Sequence, residues 1–244
     1  MNISFVIPAF NEEMYIGKCI ESVAREIAAS GYNAEIIVVN NASTDDTRAT
    51  ALLFPDIRVI DEPHKGVQYA RQAGLVAAQG ELLAYIDADT MVPPGWLNRV
   101  VAEFEKNPRL AALSGPYVYY DLPRRQRILT IIFYAVAFTL HSINALLRIG
   151  AVVQGGNLAV RRSTLEKIGG MDTSIPFYGD DTDIACRLVK VGKVKWTWKL
   201  YVYSSGRRMA VEGLLRTGAV YALNHLMTIY TGRPITRRYR DIRL

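Results

Sequence analysis

Four short apolar runs, the first of them β-branched, at positions 3–8, 35–39, 57–60 and 82–86, each end in a polar loop, and segments of helical spacing separate them. Strands alternating with helices at this interval form a mostly parallel sheet with helices on both faces, and so the fold class is α/β. In such sheets ligands sit at the carboxyl ends of the strands. That is where Asn11, Asn40, Asn41, Asp87 and Asp89 fall. A single polar residue there reads equally well as a turn or helix cap. Polar residues at three successive strand ends point instead to one binding cleft. The 244 residues, half of them hydrophobic, allow one large domain or two small ones.

The spacing predicts helices over residues 12–30, where Ile16, Ile20, Val23 and Ile27 share a face, over 44–53 behind a Ser43 cap, and over 66–78. Beyond the fourth run, Pro93 and Pro94 open a helix to 104, and 111–120 reads as a strand. Residues 124–147 form a long apolar helix, Gly155, Gly156 and Asn157 a turn, and 158–160 a short strand. A helix at 163–168 closes at Gly169 and Gly170, and an acidic loop at 178–183 enters a helix at 184–190. The division expected is 1–208 for the main domain and 209–244 for a C-terminal helix with a basic tail.

Charge is unevenly spread. Residues 1–121 carry nine Lys/Arg against 16 Asp/Glu, whereas 122–148 hold four arginines and no acid, and 205–244 hold eight arginines against Glu212 and Asp241. An acidic body with two basic, apolar segments suggests contact with an anionic surface. Residues 128–147 contain no charge over 20 positions, close to the length of a membrane span. A helix lying in the membrane interface, flanked by Arg124, Arg125, Arg127 and Arg148, matches the pattern, and a buried dimer helix is the alternative. The arginines at 233, 237, 238, 240 and 243 could meet anionic lipid as well. The amino-terminal residues show no secretory signal. Cys19 and Cys186 lie far apart, outside any Cys-x-x-Cys pair, and read as buried thiols in a reducing cytoplasm. The protein is therefore expected to be cytoplasmic and peripheral to the inner face of the cell membrane.

Asp87-Ala88-Asp89 ends the run Leu82-Leu83-Ala84-Tyr85-Ile86. Mg²⁺ or Mn²⁺ held by one or two carboxylates fills its remaining positions with water and substrate phosphate, so this triplet suggests a diphosphate ligand. It stands third in an ordered series. The first member is Phe5-Val6-Ile7-Pro8-Ala9-Phe10-Asn11-Glu12-Glu13, and the second is Ile37-Val38-Val39-Asn40-Asn41-Ala42-Ser43-Thr44-Asp45. Further along come His64-Lys65-Gly66 with Ala70-Arg71, Gly155-Gly156-Asn157-Leu158-Ala159-Val160-Arg161-Arg162, and Gly179-Asp180-Asp181-Thr182-Asp183. Over about residues 3 to 208 the chain resembles a family 2 glycosyltransferase.

That resemblance implies the GT-A fold and transfer of a sugar from a nucleotide-sugar donor to an acceptor hydroxyl or phosphate, with inversion at the anomeric carbon. It implies that Pro8, Ala9, Asn11, Glu12 and Asn41 meet base and ribose, that Arg71 supports base or phosphates, and that Asp89 with Asp87 holds the metal. Asp181 matches the general base. Gly156, Asn157, Asp180, Arg207 and Arg208 fall where acceptor or phosphate would lie. A base is needed because the attacking hydroxyl loses its proton as the new bond forms. The leaving diphosphate gains charge that a metal and nearby cations stabilise.

Three departures stand out. The family usually has Asp-Asp where this chain has Asn40-Asn41, so the residue expected to read the base is an amide that donates as well as accepts. It usually has Glu-Asp in place of Asp180-Asp181. The stretch Tyr203-Ser204-Ser205-Gly206 lacks the histidine that many relatives use as a metal ligand, leaving water as the replacement. Trp96, Trp196 and Trp198 read as core residues more readily than as a sugar platform.

Two other classes compete. A sugar nucleotidyltransferase also pairs aspartates on a parallel sheet, but is expected to carry a glycine-rich phosphate loop near the N-terminus, and residues 8–13 hold no glycine. A nucleic-acid-binding module could use the basic tail, yet the acidic first half opposes it. The expected partners are thus a nucleotide-sugar donor, an acceptor glycan or polyprenyl or other lipid-linked acceptor, an anionic membrane surface, and a second copy if the apolar helix is an interface.

Overall fold

The computed structural model describes every residue except 148–149, 237–238 and 244, and additionally leaves out the side chains of 140–143, 145 and 146. Arg148, Arg237 and Arg238, three of the basic residues noted above, lie outside the described residues.

The first half follows the sequence pattern. Strands β1 (Ile3–Ala9), β2 (Ala34–Asn40), β3 (Ile57–Asp61) and β4 (Leu82–Ile86) alternate with helices α1 (Ile16–Ser30), α2 (Thr47–Leu52) and α3 (Val67–Ala77). Three of the four helices expected to start at residues 12, 44, 66 and 93 begin three or four residues later in the chain. Glu12 and its neighbours are tied by backbone bonds ahead of α1, Asp45 rather than Ser43 accepts the Thr47 N–H, and Pro93-Pro94 precede a turn before α4 (Trp96–Lys106).

Beyond β4 come β5 (Thr90–Met91), β6 (Leu110–Ser114), β7 (Tyr117–Tyr119), α5 (Arg124–Leu147), β8 (Asn157–Arg161), α6 (Arg162–Lys167) and α7 (Asp180–Leu188). Then follow β9 (Lys193–Trp196), β10 (Val202–Ser204), α8 (Arg207–Glu212) and α9 (Leu214–Thr231). The run expected as one strand at 111–120 is two strands in different sheets, broken at Gly115, where an added Cβ would lie 2.1 Å from the Leu200 carbonyl oxygen. The acidic loop is instead the first turn of α7, entered through Gly179 at φ 86°. Carboxylates are favoured at that helix end.

The main sheet has seven strands in the order β3-β2-β1-β4-β8-β6-β9, all parallel except β8, which runs antiparallel to both neighbours. A second sheet, β5-β10-β7, stands beside it. Strand alternation divides the core in two. Ile3, Phe5 and Ile7 face α1 and α4, whereas Val6, Ile37 and Val39 face α3 and α7. Burial of these side chains is the main stabilising term, on the order of 25 cal/mol per Å² of apolar area.

One polar residue joins the two sheets. Asn157, fully buried at the start of β8, donates to the carbonyl oxygens of Gly115 (3.1 Å) and Leu200 (2.6 Å) and accepts from Trp96 Nε1 (3.1 Å). With its amide engaged on three sides, Asn157 is a structural pin rather than an acceptor contact, and Trp96 is core as expected.

The apolar helices are inside out. Helix α5 buries Thr130, Tyr134 and Asn144 and exposes Ile128, Leu129, Ile131, Ile132, Phe133 and Val136; α9 buries Thr217, Asn224 and Thr228 and exposes Leu215, Leu223 and Leu226. Gly218 of α9 lies against the Phe133 ring, so the two helices adjoin. Among the described residues no helix is long and apolar enough to cross a membrane. Cys19 is buried and Cys186 partly so, both as free thiols.

Replacing Asn157 with Leu should keep the volume but leave two carbonyls and an indole N–H without partners. At about 1–3 kcal/mol for each such group, unfolding in urea should show a loss of at least about 3 kcal/mol.

Candidate active site

The carboxyl ends of β1, β2 and β4 open on one cleft, whose walls include Pro8, Ala9, Asn41 and Asp87. At its centre Arg71 projects from α3, buried except for 7% of its side chain. Its Nη2 lies 3.4 Å from Asp87 Oδ1, and its Nη1 lies 3.0 Å from Asp180 Oδ2 and 3.3 Å from Asp181 Oδ1. Tyr85 on β4 donates its hydroxyl to the Arg71 carbonyl oxygen (3.2 Å), fixing that turn of the helix. One guanidinium thus gathers carboxylates from the end of β4 and the start of α7.

The glycine pair before β8 makes this gathering possible. Gly155 N–H donates to Asp181 Oδ2 (2.9 Å), and Gly156 N–H to Tyr117 Oη (2.9 Å), which in turn donates to Asp87 Oδ2 (3.3 Å). A Cβ on Gly155 would stand 2.2 Å from Asp181 Oδ1, and one on Gly156 would stand 2.0 Å from the Asp87 carboxyl carbon. Only residues without a side chain fit here, with the Gly155 N–H on Asp181 and the Gly156 backbone against the Asp87 carboxylate.

A second charge cluster adjoins the first. Arg207, at the start of α8, reaches Asp89 Oδ2 at 3.1 Å and pairs with Glu12, whose side chain is only 2% exposed; its guanidinium also lies over the Tyr15 ring, 4.6 Å from the centroid. Burial, with the Asp89 charge behind it, pushes the Glu12 carboxyl up to about 7 against the opposing pull of Arg243 and Arg207. Asp89 is raised chiefly by burial as well. Asp180 is pushed up to about 7 by burial and by the neighbouring Asp181 charge, and Asp181 is raised by burial against the pull of Arg71 and the Gly155 N–H.

Several residues singled out in the sequence have other employment here. The Asn41 amide donates to the Glu62 and His64 carbonyl oxygens (3.1 and 2.7 Å) and accepts from Gly66 N–H (2.8 Å), so it shapes the loop after β3 and has no free donor for a base. Asn11, at φ 49°, holds Thr44 across the two strand-end loops. Arg208 pairs with Glu212 (2.9 Å) and packs over Phe177, a residue of the cleft wall. Trp196 and Trp198 pack edge to face with ring centroids 4.9 Å apart, next to Tyr134 of α5. Gln68, which donates to Asp180 Oδ2 (2.6 Å), and Tyr117 were missed. Gln68 sits one helical turn before Arg71, a spacing that could have flagged it; nothing marks Tyr117 in the sequence.

The donor set can be tested against a divalent cation. Asp87 and Asp89 offer oxygen ligands alone, and among the described residues no group of three or more His, Cys, Asp or Glu could hold a metal ion. Two carboxylates completed by water and phosphate suit Mg²⁺ or Mn²⁺, which bind protein sparsely and substrate phosphate readily. The residues fit such an ion as a shared site with a diphosphate, and not as a closed protein cage.

Comparison with known proteins agrees with this geometry. Residues 4–169 match the profile of glycosyl transferase family 2, and the chain belongs to that family. Among its curated relatives, the dodecaprenyl-phosphate galacturonate synthase of Rhizobium johnstonii is 31% identical over 112 residues, 43% of this chain and 33% of that protein. The glucosyl-dolichyl phosphate glucuronosyltransferase of Haloferax volcanii is 24% identical over 187 residues, 74% of this chain and 59% of the relative. The chain spans about a third of the length of the first of these and three-fifths of the second.

In three dimensions the chain is similar to the mannosyltransferase PcManGT from Pyrobaculum calidifontis, solved in complex with GDP-Man and Mn²⁺. The TM-score is 0.70 at 21% identity, over 94% of this chain and 63% of the other. The glucosyl-3-phosphoglycerate synthase of Mycobacterium tuberculosis, in complex with Mn²⁺ and UDP-glucose, gives 0.62 at 21% identity, over 96% and 80%. The fold is GT-A, as the resemblance implied.

The raised Asp180 has a thermodynamic consequence. The folded chain keeps a proton on it up to about pH 7, whereas an unfolded aspartate loses it near about pH 4. The folded state therefore binds more protons between those values, and stability falls as pH rises through the window. In Asp180→Asn the decline in melting temperature from pH 5 to pH 8 should be shallower than in the parent chain. An equal slope would show that Asp180 titrates normally.

Proposed function

We propose that the chain transfers a sugar from a nucleotide-sugar donor to an acceptor hydroxyl or phosphate with inversion, using Asp181 as general base. The observation that carries this reading is the cluster around Arg71, where Asp87 on the donor side and Asp181 on the far side share one buried cation.

In this reading the donor diphosphate lies by Asp87 and Asp89, and the acceptor approaches beside Asp181. Asp181 keeps a third of its side-chain surface exposed, enough for an acceptor to reach it. The Gly155 N–H holds Oδ2 and Arg71 Nη1 holds Oδ1, and a remaining lone pair of the carboxylate takes the proton. The acceptor oxygen attacks the anomeric carbon as its proton passes to Asp181, and the bond from that carbon to the diphosphate oxygen breaks on the opposite side, inverting the centre. A divalent cation bound at Asp87 and Asp89 would neutralise charge gathering on the leaving diphosphate. Arg207, already 3.1 Å from Asp89, adds a fixed cation there. Burial raises the Asp181 carboxyl and makes it the better proton acceptor, provided the pH exceeds its pKa.

The acceptor in this reading is lipid-linked, and α5 and α9 rest on the membrane. Their outward faces are apolar and their inward faces polar, the reverse of a helix made to pack on a soluble body. Lipid is the occupant favoured by charge, since Arg124, Arg125 and Arg127 at the start of α5 and Arg216 on α9 are all exposed beside the apolar surface. The relatives named as dodecaprenyl-phosphate and dolichyl-phosphate enzymes support a lipid-linked acceptor.

A panel of UDP-, GDP- and dTDP-sugars with Mn²⁺ tests the activity by donor turnover. Asp181→Asn should bind the accepted donor within about 3-fold of the parent while transfer falls by at least about 10²-fold, the low end for a lost general base. Transfer that survives in Asp181→Asn and vanishes in Asp180→Asn would move the base to the neighbouring residue.

The membrane reading has its own check. Phe138 packs at a tilt against Trp196, with centroids 5.5 Å apart, and is unsuitable for mutation because it holds α5 to the body. Ile131, Ile132 and Val136 are each more than half exposed. Their triple replacement by Ser should abolish flotation with anionic vesicles without lowering the melting temperature. A parent chain that ignores vesicles and forms a dimer split by the same changes would make this face a subunit interface.

A further inference from the structure

The C-terminal segment does not trail into solvent. It leaves α9 at Gly232 and returns to the loops that follow β1 and β3 through a series of separate contacts. Asn224 of α9 binds Thr236 through both the backbone N–H (2.9 Å) and Oγ1 (2.8 Å). The Tyr239 ring stacks on Phe177 with centroids 4.8 Å apart and planes at 21°. Arg208 donates to the Arg240 carbonyl oxygen (3.2 Å), and Lys65 pairs with Asp241 (2.7 Å). Finally, Asn11 Nδ2 approaches the Arg243 carbonyl oxygen at 3.4 Å, and the Arg243 guanidinium meets Glu12 with Nε 2.8 Å from Oε1. Tyr239, Asp241 and Arg243 thereby line the same cleft as Ala9, Asn41 and Asp87, from the opposite side.

Arg243 is placed for more than holding the strap. It shares Glu12 with Arg207, which also touches Asp89. Two guanidiniums and two carboxylates therefore close on the mouth of the Asp87-Asp89 loop. The contact to Glu12 is an ion pair out of line for a hydrogen bond, so Arg243 Nε is a buried donor with no acceptor among the described residues. Glu12 Oε2 is likewise buried without a partner. A partly exposed guanidinium whose buried Nε has a donor to spare, beside carboxylates suited to a metal-diphosphate, has the chemistry to bind phosphate oxygens.

We propose that Arg243 is a donor-binding residue, carried into the cleft on the C-terminal strap to pair with the donor's diphosphate alongside Arg207. The proposal rests on the donor-site reading above and adds to it a residue that the sequence pattern set among lipid-facing arginines. The strap forms the wall of the nucleotide site opposite the strand ends.

Isothermal titration with Mn²⁺ against UDP and GDP, and against UMP and GMP, separates the outcomes. For whichever base the parent chain binds, Arg243→Gln should weaken the diphosphate by about 10-fold or more, the range of a charged hydrogen bond. The monophosphate should change less than about 3-fold, and Arg243→Lys should restore part of the loss. In the parent chain, diphosphate with Mn²⁺ should slow trypsin cleavage after Arg240. An unchanged diphosphate affinity, an equal loss for mono- and diphosphate, or tighter binding by Arg243→Gln would each overturn the proposal, the last by making the strap an obstruction. A parent chain that binds neither diphosphate would defeat the donor reading itself.

Discussion

The site depends on one buried cation. Arg71 meets three carboxylates, Asp87 from the end of β4 and Asp180 and Asp181 from the start of α7. Paired aspartates at a helix start repel each other and the end of β4, and in a poorly solvated cleft that repulsion is strong. A guanidinium offers several donors in a fixed plane and cannot discharge, so it can hold separated acids where a lysine could not. Asp180 keeps its proton up to about pH 7, which relieves part of that repulsion.

The second cluster, Glu12 with Arg207 and Asp89, ties the loop after β1 to α8 and thus to the C-terminal third of the chain. The consequence for organisation is that the segment beyond residue 208 is fastened to the cleft from several directions, through His225 to Thr182 (2.9 Å), Asp241 to Lys65 and Arg243 to Glu12. Residues expected to form a separate tail complete the walls of the cleft.

The strand-helix alternation and the acids at strand ends were legible because both follow from local pattern: apolar runs of four to six residues, and a period of 3.6 between Ile16, Ile20, Val23 and Ile27. Register and orientation were not. Nothing in Asn157-Leu158-Ala159-Val160-Arg161 reveals that this strand enters antiparallel between β4 and β6, since strand direction is set by the connections and not by the strand's own residues. Asn41 shows the same limit at the scale of one side chain. Its chemistry suggested a reader of the base, yet three neighbours that come together only in the folded loop consume its donors and its acceptor. Arg243 was legible as a charge and illegible as a place, because 231 residues separate it from Glu12.

The direction of β8 also bears on the order in which the protein can assemble during synthesis. β4 and β6 share no hydrogen bonds with each other; both bind β8, which is made only after β7 and α5 have emerged. Strands β1 to β4 can pair as they appear, but β6 has no partner until residue 157 exists. During that interval α5 is complete, with its isoleucines and Phe133 outward, while Trp196 and Trp198, against which Tyr134 packs, have not been made. A half-synthesised chain thus displays its most apolar surface before it possesses the aromatic residues that fasten it. Exposed apolar surface and unpaired strands are what drive misassembly, so the interval before residue 157 is made is the one in which this chain is most open to it.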